Sequence, residues 1–196
     1  MVFRLPRVLV AGLAALAVAG CSGGSAVSQG NVDGDLGIQG GDGNIVVLGS
    51  HHYQVGDVSG TTLTGAHFDL SSLRGKYVVV NFWGSWCAPC HAEEQGFVQA
   101  AKDFRNKGVA FVGIDERENS PADGLAFEQQ YGASYPSIYD KNETLALEFP
   151  HAIPASTPTT IVIGPTGDIL AKVTGGIEYT DLRTLVQDAL AGKLSA

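Results

Sequence analysis

Cysteine is scarce in this chain of 196 residues: there are three, at positions 21, 87 and 90. That number excludes a small scaffold stapled by several disulfides. Positive charge is also short, with 12 Lys and Arg against 20 Asp and Glu and a formal net charge of −8. A nucleic-acid backbone is therefore excluded as the main partner, because phosphate binding needs a basic face. Charged residues of all kinds make up only 16% while hydrophobic ones make up 44%, which excludes global disorder and leaves enough apolar material for a packed core. The apolar run at 8–19 stops well short of the ~20 residues that a membrane-spanning helix requires.

That short run has a different meaning. Arg4 and Arg7 precede it without any acid, and Val18-Ala19-Gly20-Cys21 follows it. A positive start, an apolar stretch and then small residues form the layout of a secretory signal. The last four residues resemble a bacterial lipobox, in which the cysteine is lipidated and becomes the first mature residue. Ordinary cleavage after Ala19 is the competing expectation. Loss of residues 1–20 removes both early arginines and leaves the mature chain still more acidic. Residues 22–56 hold 10 of the 26 glycines and no Lys or Arg, the composition of a flexible tether. We therefore expect a signal at 1–20, a tether at 21–56 of roughly 30–35 Å end to end, and a domain at 57–196. Within the tether, Ile45-Val46-Val47-Leu48 could instead add an edge strand to the domain. Asp33-Gly34-Asp35 and Gly40-Gly41-Asp42-Gly43-Asn44 lack the complete ligand set of a calcium loop. His51-His52 has no further ligands for a metal beside it.

The domain alternates strand and helix patterns. Residues 77–83 are a nearly continuous β-branched and aromatic run, the signature of a central strand buried on both faces. Residues 87–106 carry Phe97, Val98, Ala101 and Phe104 at helical spacing. Further strands are expected at 109–114, 137–139, 159–163 and 169–173. Helices are expected at 122–131, 143–148 and 179–190, and a hairpin at 62–70. This order predicts an α/β fold, a mixed central sheet with helices on both faces.

The chemistry is concentrated after the first long strand, in Trp86-Cys87-Ala88-Pro89-Cys90. Two cysteines separated by two residues in a first helical turn come within disulfide distance. Cys87 falls at the helix start, where free N–H groups and the helix dipole favour a thiolate. Cys90 is one turn further in and should attack second. Pro89 is tolerated because first-turn N–H groups lack helical partners. Structural zinc would need two more ligands, and a four-residue loop removes too little chain entropy to make a structural disulfide worthwhile. No metal and no cofactor are implied. His91 reads as a surface residue.

Four stretches together resemble the TlpA/ResA-like, membrane-anchored branch of the thioredoxin superfamily. They are Leu70-Ser71-Ser72-Leu73-Arg74-Gly75-Lys76, Asn81-Phe82-Trp83-Gly84-Ser85-Trp86-Cys87-Ala88-Pro89-Cys90, Tyr135-Pro136 and Pro158-Thr159-Thr160. The resemblance implies a thioredoxin-like fold with an N-terminal extension and an insertion over 115–153. It implies a cis peptide at Thr157-Pro158, facing a redox-active Cys87/Cys90 pair, and substrate binding by Trp86, Thr157 and Pro158. Asn81 stands where thioredoxin has a buried acid. Glu93, one turn beyond Cys90, matches the acid of TlpA/ResA-like sites and is the third catalytic candidate. Glu94 beside it is expected to be solvated. Gln95 replaces a helix proline common in the family, with Gly96 following, so the inward aim of Glu93 rests on how the helix runs there.

The implied function is that of a lipid-anchored, extracytoplasmic thiol–disulfide oxidoreductase acting on exported proteins. A reductant is favoured, for clients such as apocytochrome c, recharged by a CcdA/DsbD-like membrane electron carrier. A disulfide-forming oxidase uses the same residues. A thiol peroxidase is disfavoured because Gly84 stands where such enzymes place a threonine, and a binding lipoprotein without activity is disfavoured by the intact cysteine pair.

Overall fold

The computed structural model describes residues 37–40 and 43–195; the expected signal at 1–20 and Cys21 lie outside the described residues. The strands are β1 (Gly37–Gly40), β2 (Gly43–Val47), β3 (Ser59–Thr61), β4 (His67–Asp69), β5 (Tyr77–Trp83), β6 (Val109–Glu116), β7 (Ser137–Asp140), β8 (Thr159–Ile163) and β9 (Ile169–Thr174). The α-helices are α1 (Ala88–Asp103), α2 (Pro121–Tyr131) and α3 (Tyr179–Leu190). Seven strands form one mixed sheet in the order β1-β2-β9-β8-β5-β6-β7, and β3 and β4 form a separate hairpin. β5 is central. It runs parallel to β6 and antiparallel to β8, so its backbone is paired along both edges. Its residues from Val78 onward are all buried, which is what the unbroken apolar run predicts.

One sheet face carries all three α-helices. Val79 and Phe111 from the sheet pack with Phe97 and Ala100 of α1 and Leu182 and Val186 of α3. Phe127 of α2 stacks on Trp83 at the end of β5, with ring centroids 4.6 Å apart. Phe97 is essentially fully buried at the α1–α3 contact, and its loss to Ala would cost about 3–5 kcal/mol. The opposite face buries Val78, Val80, Phe82, Val112 and Ile161 beneath Leu70, Ala146, Phe149 and Ala152. These covering residues belong to the 3₁₀ turns Leu70–Leu73 and Leu145–Glu148 and to the loop that follows the second. Helices thus lie on both faces of the sheet, as expected, the second face being covered by short 3₁₀ helices and the loop after them.

Two element ends also shift for local reasons. α1 stops at Asp103, ahead of the expected end at 106, because Asn106 and Gly108 take left-handed backbone conformations. The helix expected at 143–148 shrinks to the 3₁₀ turn because the Asp140 carboxylate accepts from the backbone N–H groups of Thr144 (3.0 Å) and Leu145 (2.8 Å). Those bonds offer the backbone an alternative to a first helical turn.

The tether boundary at 56 moves. β2 pairs antiparallel with β9 from Asn44↔Thr174 to Val47↔Ala171. Ile45 joins the helix-side core and Leu48 the opposite one, because successive residues of a strand point to opposite faces. Val55 and Val58 are buried as well. The four apolar residues at 45–48 thus cover what would be an open edge of β9, β1 pairs along the other side of β2, and the folded domain takes in residues 37–40 and 43–56.

Candidate redox site

β5 delivers the chain to the site. Gly84 follows its last residue, and a Cβ there would lie 2.3 Å from the Trp86 ring nitrogen, so only glycine lets the loop turn back this tightly. Cys87 is the N-cap of α1 with extended backbone angles, and its sulfur accepts the Cys90 N–H at 3.3 Å. Pro89 occupies the first turn, as the missing helical partners there allow. Cys87 and Cys90 are joined in a disulfide with their Cα atoms 5.3 Å apart. Both are buried, with 3% and 1% of their surface exposed, in a cluster with Leu63, Trp83 and Phe127. Cys87 is thus less open than a helix start suggests, because Phe127 and Leu63 close over the pair.

The peptide between Thr157 and Pro158 is cis. Thr157 and Pro158 line a cleft of about 460 Å³ together with Pro89, Glu93 and Gly176. The cleft therefore runs between the first turns of α1 and the proline turn before β8.

Glu93 forms the inner wall of that cleft. Its carboxyl accepts the Asn81 side-chain amide at 3.1 Å and the Ile177 backbone N–H at 3.0 Å. Burial pushes its pKa up to about 8, with the two hydrogen bonds working in the opposite direction. The helix continues through Gln95 without the family proline, and Gly96 packs directly on Tyr179 of α3, where a Cβ would stand 3.1 Å from the Tyr179 Cβ. This close α1–α3 approach keeps Glu93 facing inward.

Glu94 is not solvated, contrary to expectation. It is buried, accepts the Tyr135 hydroxyl at 2.6 Å, and burial pushes its pKa up to about 7. Two adjacent helix positions can both be buried because α1 is packed on two sides, by the sheet and α3 near Glu93 and by the Tyr135 segment near Glu94. His91 is exposed, as expected, with Nε2 2.8 Å from the Ser85 carbonyl and Nδ1 3.0 Å from the Tyr131 hydroxyl.

Several residues at the C-terminal end of β6 escaped the sequence reading. Asp115 is fully buried against α2, where a Cβ on Gly124 would meet its carboxyl, and burial together with Glu118 and Glu128 pushes its pKa up to about 8. The Glu118 carboxyl accepts the Ser85 N–H. The Glu116 carbonyl accepts the Trp86 indole N–H at 2.9 Å, and its carboxyl accepts the Thr157 hydroxyl at 2.8 Å. The available signal was the acidic run Asp115-Glu116 closing an otherwise apolar strand, since parallel strands deliver functional residues at their C-terminal ends. Among the described residues no cluster of His, Cys, Asp and Glu is arranged to hold a metal ion. A cysteine pair at a helix N-terminus, with a cis-proline and a carboxyl of raised pKa lining the cleft beside Pro89, has the chemical make-up of a dithiol–disulfide exchange centre.

The sheet order, the placement of α1 and the cysteine pair together define a thioredoxin-like fold carrying a dithiol–disulfide centre. The chain belongs to the AhpC/TSA family, whose profile matches residues 52–172. It is 35% identical over 111 residues to the thiol-disulfide oxidoreductase ResA of Bacillus subtilis, covering 57% of this chain and 60% of that protein. The chain thus spans less than two thirds of the length of this relative. Among solved structures it resembles a thiol:disulfide interchange protein of the thioredoxin family from Chlorobium tepidum, with TM-score 0.64 and 30% identity over 70% of this chain and 95% of that one. It also resembles a DsbF homologue from Corynebacterium diphtheriae, with TM-score 0.67 and 26% identity over 82% of this chain and 96% of that one.

Proposed function

We propose that the protein is an extracytoplasmic thiol–disulfide oxidoreductase, anchored to the membrane by lipid on Cys21, that reduces disulfides in exported proteins. The observation that carries the activity is the Cys87–Cys90 disulfide at the start of α1, where Pro89 between the two cysteines lines the same cleft as the cis Thr157–Pro158 peptide. In the reduced protein, the Cys87 thiolate attacks a client disulfide. One client sulfur leaves as a thiolate and takes up a proton, and the other forms a mixed disulfide with Cys87. Cys90 loses its proton to Glu93 or to water and attacks the Cys87 sulfur. The client's second thiolate leaves, the client gains two electrons, and the Cys87–Cys90 disulfide re-forms. Trp86, Thr157 and Pro158 hold the client chain, with the Thr157 backbone pairing to it as an added strand. A membrane electron carrier of the CcdA/DsbD-like kind then returns two electrons to the pair. Apocytochrome c, with its two haem-binding thiols, is a client of the right chemistry.

The alternative is the reverse reaction, with the same residues installing disulfides in exported proteins. The reduction potential of the Cys87–Cys90 pair decides between them. A value near about −270 mV supports the reductant, whereas one near about −120 mV overturns it in favour of the oxidase.

A further inference from the structure

Arg117 lies next to the site and is not used by the proposed chemistry. It follows the last residue of β6 and takes a left-handed backbone conformation, φ 55°, although it is not glycine. Non-glycine residues held in that region are uncommon, and they persist where surrounding contacts fix them. Here the contacts are on the side chain. The guanidinium lies over the Trp86 ring, 4.2 Å from its centroid. Its Nη2 donates to the Thr157 hydroxyl at 2.8 Å, and its Nε pairs with the Glu143 carboxylate at 3.1 Å.

These bonds close a ring. Trp86 is tied through its indole N–H to the Glu116 carbonyl, and Thr157 through its hydroxyl to the Glu116 carboxyl. Arg117 joins Trp86 to Thr157 directly. The residue beside the attacking cysteine and the residue at the cis-proline are thereby fixed to each other through one side chain. Trp86 needs such a support, because 47% of its surface is exposed and no core packing holds the ring. A lysine could not replace this arrangement: a planar fork can stack and donate in two directions at once, whereas an ammonium is a point charge.

We propose that Arg117 is a positioning residue for client recognition, setting the spacing and orientation of Trp86 and Thr157 so that a protein disulfide is seated before exchange. The inference rests on the dithiol–disulfide reading above and assigns a residue to its substrate side. A folded protein client must fit between Trp86 and Thr157, whereas a small disulfide needs only access to Cys87.

The test compares second-order rate constants of the reduced full chain toward insulin and toward hydroxyethyl disulfide, for wild type, Arg117→Ala and Arg117→Lys. The insulin-to-small-disulfide ratio should fall about five- to tenfold in Arg117→Ala, the size expected from losing one cation–π contact and one hydrogen bond. Arg117→Lys, which keeps the charge and the Glu143 pairing, should recover less than half of that loss. An unchanged ratio in Arg117→Ala, or full recovery in Arg117→Lys, overturns the inference while leaving the exchange reaction standing. A wild-type protein whose thiols react with neither disulfide overturns the dithiol reading and this inference together.

Discussion

The Asn81 side-chain amide donates to the Glu93 carboxyl at 3.1 Å, one helical turn beyond Cys90. The strand position that carries an acid in thioredoxin therefore supports an acid supplied by the helix. Asn81 cannot itself take up a proton, but it can orient a carboxyl that does. Its amide and the Ile177 N–H hold both carboxyl oxygens without neutralising them. With a pKa near 8, a minority of Glu93 is ionised at neutral pH; that fraction can accept the Cys90 proton, and it grows as pH rises. Glu93→Gln should slow the resolving step about tenfold, at the low end of general acid–base effects because thiols transfer protons readily. It should also remove an inflection near pH 8 from the pH profile of Cys90 reactivity, as read by stopped-flow thiol alkylation. Identical profiles for wild type and Glu93→Gln would return the residue to a structural role.

The same shift makes a statement about stability. Glu93 and Glu94 have folded pKa values near 8 and 7, raised from 4.5. Between pH 4.5 and those values the folded state binds more protons than the unfolded one, so stability falls as pH rises through that window. It is highest, as far as these two groups contribute, below about pH 4.5. Glu93→Gln removes one contribution and should unfold later than wild type in denaturant at pH 9, by an amount on the order of a few kcal/mol. At pH 4.5 the two proteins should differ little. Glu94→Gln should show the same trend more weakly, while leaving the pH profile of thiol reactivity unchanged. Equal denaturant midpoints for wild type and Glu93→Gln at pH 9 would contradict the burial of its charge.

What the sequence made legible was local. The run 77–83 identified β5 because burial on both faces leaves an unbroken apolar stretch. The spacing of Cys87 and Cys90 at a helix start identified the reactive pair, and the family resemblance carried by Pro158-Thr159-Thr160 implied the cis peptide. The missed features depend on partners distant in sequence. Glu94 is buried because Tyr135, 41 residues away, meets it, and Glu93 is held by Ile177, 84 residues away. Nothing in Gln95-Gly96 indicates that the glycine brings α3 close enough to replace the work of a helix proline. Arg117 carries no motif at all; its role depends on a left-handed turn at a strand end, which ordinary residues do not announce. The residues at 45–48 were visible as an apolar patch, but only the open side of β9 gives that patch a place to pair, and β1 then pairs beyond it.

Lipid attachment at Cys21 is tested on the mature N-terminus. Val18-Ala19-Gly20-Cys21 follows an apolar stretch too short to span a bilayer. Among the described residues no helix is long and apolar enough to cross a membrane. Mass spectrometry of the protein from its native host should find an acylated cysteine as the first residue, and Cys21→Ser should release the protein from the membrane fraction. An unmodified chain beginning at Gly20 would rule the anchor out.

The last prediction concerns which sulfur attacks. Exposure does not decide it, because Cys87 and Cys90 are both buried to within a few per cent. Electrostatics separates them. Cys87 caps α1, so its sulfur meets the positive end of the helix and accepts the Cys90 N–H. The free N–H groups and dipole of a helix N-terminus favour the thiolate form of the cysteine that caps it. Cys90 lies inside the first turn, one turn from Glu93, whose ionised form would oppose a second negative charge. After reduction, Cys87 should be alkylated at least about tenfold faster than Cys90 at pH 7, since rate follows thiolate fraction. Cys90→Ser should accumulate mixed disulfides with exported proteins through Cys87, whereas Cys87→Ser should accumulate none and should lose insulin reduction. Peptide mapping after brief alkylation reads the order directly. Faster labelling of Cys90, or mixed disulfides trapped by Cys87→Ser in place of Cys90→Ser, would reverse the assignment and with it the sequence of bond exchange at the cleft.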